Sequence, residues 1–132
     1  MATTNLVAEV TTALENYCQD VQDALDAAAK EAAELTQRQL KANSPKGKGK
    51  KKKYNAGWSI KKRELGNLVS YTVYNRNKPG LTHTLEHGHL ARNQYGTFGR
   101  VRAIPHIGPA AEAGIQRFEL SARARIRRIK AK

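Results

Sequence analysis

Apolar residues recur in steps of three and four along the first third of the chain: Leu6, Val10, Ala13/Leu14, Tyr17, Val21, Ala24/Leu25, Ala28, Ala32, Leu35 and, more weakly, Leu40. That period places them on one stripe of a helix. Thr3, Thr4 or Asn5 can accept its first free amides. The spacing predicts a helix over 1–42, of which about 35 regular residues make a rod of roughly 50 Å. Such a rod overhangs a small domain. Part of the stripe (Leu6, Val10, Leu14, Tyr17, Val21 and Leu25) must therefore meet another element or another subunit. Coiled-coil self-pairing is open; packing across a small sheet with the free end in an oligomer is the preferred expectation.

Asn43-Ser44-Pro45 stops the helix, because proline restricts the residue before it and cannot continue the hydrogen-bond ladder. A basic loop over 44–55 follows, with Lys46, Lys48, Lys50, Lys51, Lys52 and Lys53 in eight positions with two glycines. It reads as a solvated connection or as a sequence-independent phosphate contact. Alternation then begins. Ala56, Trp58 and Ile60 share one face of a strand, Gly66-Asn67 turns the chain, and Leu68 to Tyr74 is β-branched and aromatic. Pro79-Gly80 breaks the pattern before a short helical turn carrying Leu81, Leu85 and Glu86, which ends at Gly88. The stretch from Arg92 to Arg102, with Gly96, Gly99 and Arg100, reads as a loop or ribbon with a basic face. A third strand is expected from Arg102 to Ile107.

Pro109 suits the first position of a last helix, where its missing N–H costs nothing. Ile115, Phe118, Ala122, Ile126 and Ile129 give that helix one apolar stripe. Arg123, Arg125, Arg127, Arg128, Lys130 and Lys132 make its other face and tail basic. The expected fold is α+β within one domain, 1–132: a long N-terminal helix, a small mainly antiparallel sheet of about three to four strands over 56–107 with a short inserted helix, and a C-terminal helix over 109–130. A buried Trp58 belongs to its core.

Charge sharpens this picture. The net charge is +13, but the first 40 residues are acidic, with a net of −5, and the remainder carries +18. An electropositive surface of that kind meets nucleic acid, an acidic protein face, or both, and the two halves of neighbouring copies can attract one another. Lys46 to Lys53, Arg100, Arg102, Arg123, Arg125, Arg127 and Arg128 are the candidate contacts. No stretch approaches the length of a membrane span, and no leader for secretion is expected. The single cysteine, Cys18, excludes an internal disulfide framework and reads as a packed small residue.

Three of the four histidines cluster at His83, His87 and His89. His83-Thr84-Leu85-Glu86-His87 has the form H-x-x-E-H, an inverted zinc-protease signature. A catalytic zinc would need a third ligand, with Glu112 or Glu119 as candidates, and an open position for water. Pro79-Gly80 and Gly88 leave only about two turns for the zinc helix. The chain is also short for a substrate cleft between lobes. A structural metal on His83, His87, His89 or His106 is the weaker variant. The expectation is an amphipathic turn whose histidines make hydrogen bonds or face a partner, with no metal and no cofactor.

Several motifs then fall in order: Ser44-Pro45-Lys46, Tyr54-x-x-Gly57-Trp58, Val73-Tyr74-Asn75, Leu81-Thr-His83-x-Leu85-Glu86-His87-Gly88-His89, Arg92-Asn93, Gly99-Arg100-Val101 and Pro105-His106-Ile107-x-Pro109-Ala110. Across roughly residues 35–118 the chain resembles the HK97 gp10-like family of tailed-phage proteins, found among head–tail connection and tail-completion components. The lysine run departs from that pattern, since relatives have a shorter linker there. The resemblance implies a non-enzymatic virion component at the tail or head–tail junction, present in the host cytoplasm during assembly. It implies a homo-oligomeric ring, six copies being the expectation. Implied partners are the tail terminator, tail tube or neck proteins, the tape measure protein, and double-stranded DNA in the channel; no membrane is implied. Trp58, Glu86, Gly88, His89, Pro105, His106 and Pro109 are the structural positions it implies, fixing the turn and the strand–helix corner. The alternative class is a free, sequence-independent nucleic-acid-binding protein.

Overall fold

The computed structural model of the chain describes residues 2–46, 53–66, 68–93 and 96–129. Helix α1 runs from Ala2 to Asn43 and contains neither Gly nor Pro. It stops where the Ser44 N–H donates to the Leu40 carbonyl at 2.9 Å, just before Pro45. A 3-10 turn, Tyr54–Ala56, leads into strand β1, Trp58–Leu65. Strand β2, Leu68–Asn75, returns antiparallel, with Trp58 opposite Asn75 and Leu65 opposite Leu68. Gly66, at φ 59°, provides the left-handed residue of the hairpin turn. Helix α2, Leu81–His87, follows. Strands β3, His89–Asn93, and β4, Gly96–Val101, make a second antiparallel ribbon. Helix α3, Ile107–Arg127, closes the fold.

The expected single sheet of about three to four strands is not what forms. Among the described residues the strands make two separate sheets of only two strands each, β1–β2 and β3–β4. The segment expected as a third strand, Arg102 to Ile107, contains no strand; β4 ends before it, at Val101. Its amides are used elsewhere: the Ile104 N–H donates to the Leu85 carbonyl at 2.7 Å, and the next donors turn to the Glu86 side chain. A backbone whose donors are taken by a helix end has none left to extend a ladder. Helix α3 also begins two residues ahead of Pro109, which stands inside the first turn, where a missing donor is still tolerated.

Helix α3 runs back along α1. Ser121 donates to Glu31 at 2.7 Å, and Arg128 comes to lie with Asp20 and Asp23. The seam is built from small residues: Ala24, Ala28, Ala32 and Ala33 on α1 and Ala110, Gly114 and Ala122 on α3 are all buried. Gly114 is required there, because a methyl group on it would overlap the Thr36 hydroxyl. The apolar core gathers at the other end of the seam, where Leu40, Tyr54, Trp58 and Ala110 pack with Val73, Leu85 and Ile107.

Candidate functional site

Two kinds of feature bear on function: a buried corner that fixes the elements, and exposed surfaces that those elements present.

The corner is built on Glu86. Its Oε2 accepts the His106 and Ile107 amides, each at 2.8 Å, and its Oε1 accepts the Gly108 amide at 2.9 Å. These are the free donors at the start of α3, and His106 itself makes no side-chain cap. A carboxylate from α2 therefore caps a helix that begins about twenty residues later. Burial alone would push the Glu86 carboxyl up, but the three amide donors outweigh it and hold it below the ordinary carboxylate value. The His106 ring is fully buried. Its Nδ1 meets the Ile104 carbonyl at 2.8 Å and its Nε2 the Tyr54 hydroxyl at 2.7 Å. With the proton on Nδ1, that nitrogen donates to the carbonyl and Nε2 accepts from the tyrosine. Burial, followed by the Glu86 charge, pushes the Tyr54 phenol up to about 12. Trp58 and Tyr54 meet edge to face at 5.5 Å, and the indole N–H donates to Ser44 Oγ at 2.7 Å. Asn75 closes the assembly by donating to the Tyr54 carbonyl at 2.7 Å while its side-chain oxygen accepts the Lys78 amide. Gly88, at φ 76°, lets the chain leave α2 at the angle that begins β3.

Of the sequence-derived corner residues, the structure thus brings together Trp58, Glu86 and His106, with Gly88 at the end of α2. Pro105 and Pro109 are exposed on either side of His106. The His89 side chain lies outside the described residues. Ser44, Tyr54 and Asn75 carry as much of the hydrogen bonding, although none of them is among the positions expected to fix the corner. Their signal was present: each is a polar group inside a quoted motif next to a turn or an aromatic residue. The zinc reading loses its carboxylate, since both Glu86 oxygens are taken by α3. The His83 and His87 rings sit 4.7 Å apart on exposed residues. Among the described residues, no group of three or more His, Cys, Asp or Glu could hold a metal ion.

The surfaces differ sharply in chemistry. Along the outer half of α1, Leu6, Val7, Val10, Leu14 and Tyr17 are exposed, at 46–68%, whereas Val21 is half-buried and Leu25 is 37% exposed. Cys18, expected as a packed residue, is exposed on this half. The basic candidates are scattered. Lys46, Lys53, Arg102, Arg123, Arg127 and Arg128 are exposed. Arg125 is tied into the α1–α3 seam, donating to Ser121 at 3.1 Å and to Glu31 at 3.4 Å. The Ser121 hydroxyl, with Arg125 and Arg117 beside it, holds the Glu31 carboxyl below its ordinary value. Lys48, Lys50, Lys51 and Lys52, the Arg100 side chain, and the tail residues Lys130 and Lys132 lie outside the described residues. No helix among the described residues is long and apolar enough to cross a membrane.

Residues 8–91 match the family described as "Bacteriophage HK97-gp10, putative tail-component". The match takes in most of α1, the β1–β2 hairpin and α2. It starts well before the motifs that suggested the resemblance and stops short of the Pro105–Ala110 segment. No curated protein and no solved structure matches the chain. The match covers well over half of the residues, and a non-catalytic structural role follows from it: the chain belongs to the HK97 gp10-like family of bacteriophage tail proteins.

Proposed function

We propose that this tail protein assembles into a ring at the head–tail junction, where it completes or joins the tail and surrounds the DNA channel. The observation that carries the reading is the outer half of α1. Among the described residues nothing covers its large apolar side chains, and leaving them in water forgoes roughly 1.5–3 kcal/mol per side chain that burial would supply. Contacts with further copies, supplied in part by Leu6, Val10, Leu14 and Tyr17, remove that exposure. The exposed basic residues, Lys46, Lys53, Arg102, Arg123, Arg127 and Arg128, support a channel-facing role. Repeated around a ring, they hold duplex DNA by its phosphates without reading bases. A tail terminator, tail tube or neck protein, and the end of a tape measure protein, are the neighbours that such a position brings. Six copies is the stoichiometry we propose.

Cryo-electron microscopy of the intact particle, focused on the head–tail junction, tests this. A ring of this chain with basic residues toward the lumen is expected. A junction without the chain overturns the proposal and leaves the free nucleic-acid binder as the better reading.

A further inference from the structure

The outer half of α1 constrains what can cover it. Glu9, Glu15, Asp20, Asp23 and Asp26 precede Lys30, and no Lys or Arg stands before it. At 100° per residue, Glu9 stands about 60° beyond Leu6 on one side of the apolar stripe, and Glu15 about 80° beyond Val7 on the other. Pairing two of these halves would bring only like charges together, which is unfavourable. The partner surface must be apolar in part and free of carboxylates.

One described surface of the chain has that character. The β1–β2 hairpin uses one face against α1, where the Tyr71 hydroxyl donates to Asp26 at 2.5 Å and Lys62 lies 3.9 Å from the same carboxylate. Its opposite face carries Lys61, Arg63, Thr72 and Tyr74 around a shallow concavity, with Leu65 71% exposed at the tip. By the pairing register, Ser59, Lys61 and Arg63 stand opposite Tyr74, Thr72 and Ser70, so no acid shares this face. Among the described residues, Lys61 and Arg63 make no ion pair. The outward side of α3 is a poorer fit, because Glu112 and Glu119 stand among its exposed residues beside Ile115 and Leu120.

We infer that the outer half of α1 from one copy lies across the open face of the β1–β2 hairpin of the next, with Glu9 and Glu15 set against Lys61 and Arg63. This rests on the reading of α1 as the assembly element and names its receptor. The two surfaces are different, so each copy gives one and receives one. Such a heterologous contact propagates and closes into a ring when the rotation allows. The helix also covers a two-stranded sheet that is marginal when one face is bare.

Charge reversal in the full chain tests the inference, read by sedimentation over a range of concentrations. E9K/E15K and K61E/R63E should each raise the concentration for half-assembly by at least about tenfold. Their equimolar mixture should recover it, because each variant then meets an opposite charge on the other. Circular dichroism of each variant keeps misfolding apart from lost contact. Assembly that depends on Leu14 but ignores K61E/R63E overturns this docking while leaving the ring intact. Covalent dimers formed by oxidation of Cys18 alone would put two α1 outer halves side by side and overturn it as well. If K61E/R63E instead loses duplex DNA binding with assembly unchanged, the hairpin face belongs to DNA. A wild-type chain that is monomeric at its highest soluble concentration overturns the docking. Whether a ring stands in the particle then decides the broader reading separately.

Discussion

The two halves of α1 have the same period and opposite fates. From residue 24 to 40 the helix is lined with alanines, and Ala24, Ala28, Ala32 and Ala33 are buried. From residue 6 to 17 it carries Leu, Val and Tyr, and these are exposed. Hydrophobicity alone would assign the core to the wrong half. What decides is the distance of approach. The inner half meets a helix that comes close enough for Gly114 to touch Thr36, and small residues fill such a seam. The outer half carries larger side chains than that seam could hold, so any element that covers it must stand farther from the helix axis.

The contrast can be broken most severely at the core end of the inner half. Trp58→Ala removes the indole from the Leu40–Tyr54 cluster and leaves Ser44 without its donor. Urea denaturation should show a loss of about 3–5 kcal/mol. Next comes Glu86→Ala, which strips three amides at the start of α3 of their acceptor. A loss of about 2–3 kcal/mol is expected by the same measurement. Its pH dependence has a defined sign. The folded-state carboxyl titrates below the ordinary value of 4.5, so its contribution is full above that value and fades as pH falls through the lower, folded one. The stability gap between wild type and Glu86→Gln should therefore narrow on acidification through that window. A gap that stays constant would mean the amides are not held by the charge.

Smaller again is Gly114→Ala, which forces α3 away from Thr36. About 1–3 kcal/mol should be lost, visible as a lowered thermal midpoint. A neutral result would show that the helices sit farther apart than a Gly114–Thr36 contact allows. Leu14→Ser is expected to do least to the fold, within about 0.5 kcal/mol, yet to abolish assembly in sedimentation. If it unfolds the monomer instead, the outer half is part of the core after all.

Much of this was legible in the sequence. The three- and four-residue period of α1, the stop at Ser44-Pro45 and the alternation around Trp58 all correspond to described elements, because each is decided by local pattern. The segment after Val101 was not legible. Ile104-Pro105-His106-Ile107 is a short apolar run that fits a strand, and only the Leu85 carbonyl and the Glu86 carboxylate, brought in from α2, turn its amides another way. Glu86 itself was read beside its neighbours His83 and His87, whereas its partners lie twenty to twenty-two residues on. The seam was hidden for a related reason. Gly114 in a helix reads as a weakness until the facing Thr36 is known.

The uninterrupted run of α1 from Ala2 to Asn43 has a mechanical side. The bare half extends roughly 28 Å beyond the packed one, and no glycine or proline lets it bend between them. A pivot of about 5° at the packed end would displace the far tip by about 2–3 Å. The helix is thus a lever whose fulcrum is the alanine seam. Small adjustments of the body on its tail neighbours would be delivered, enlarged, to whatever the tip grips.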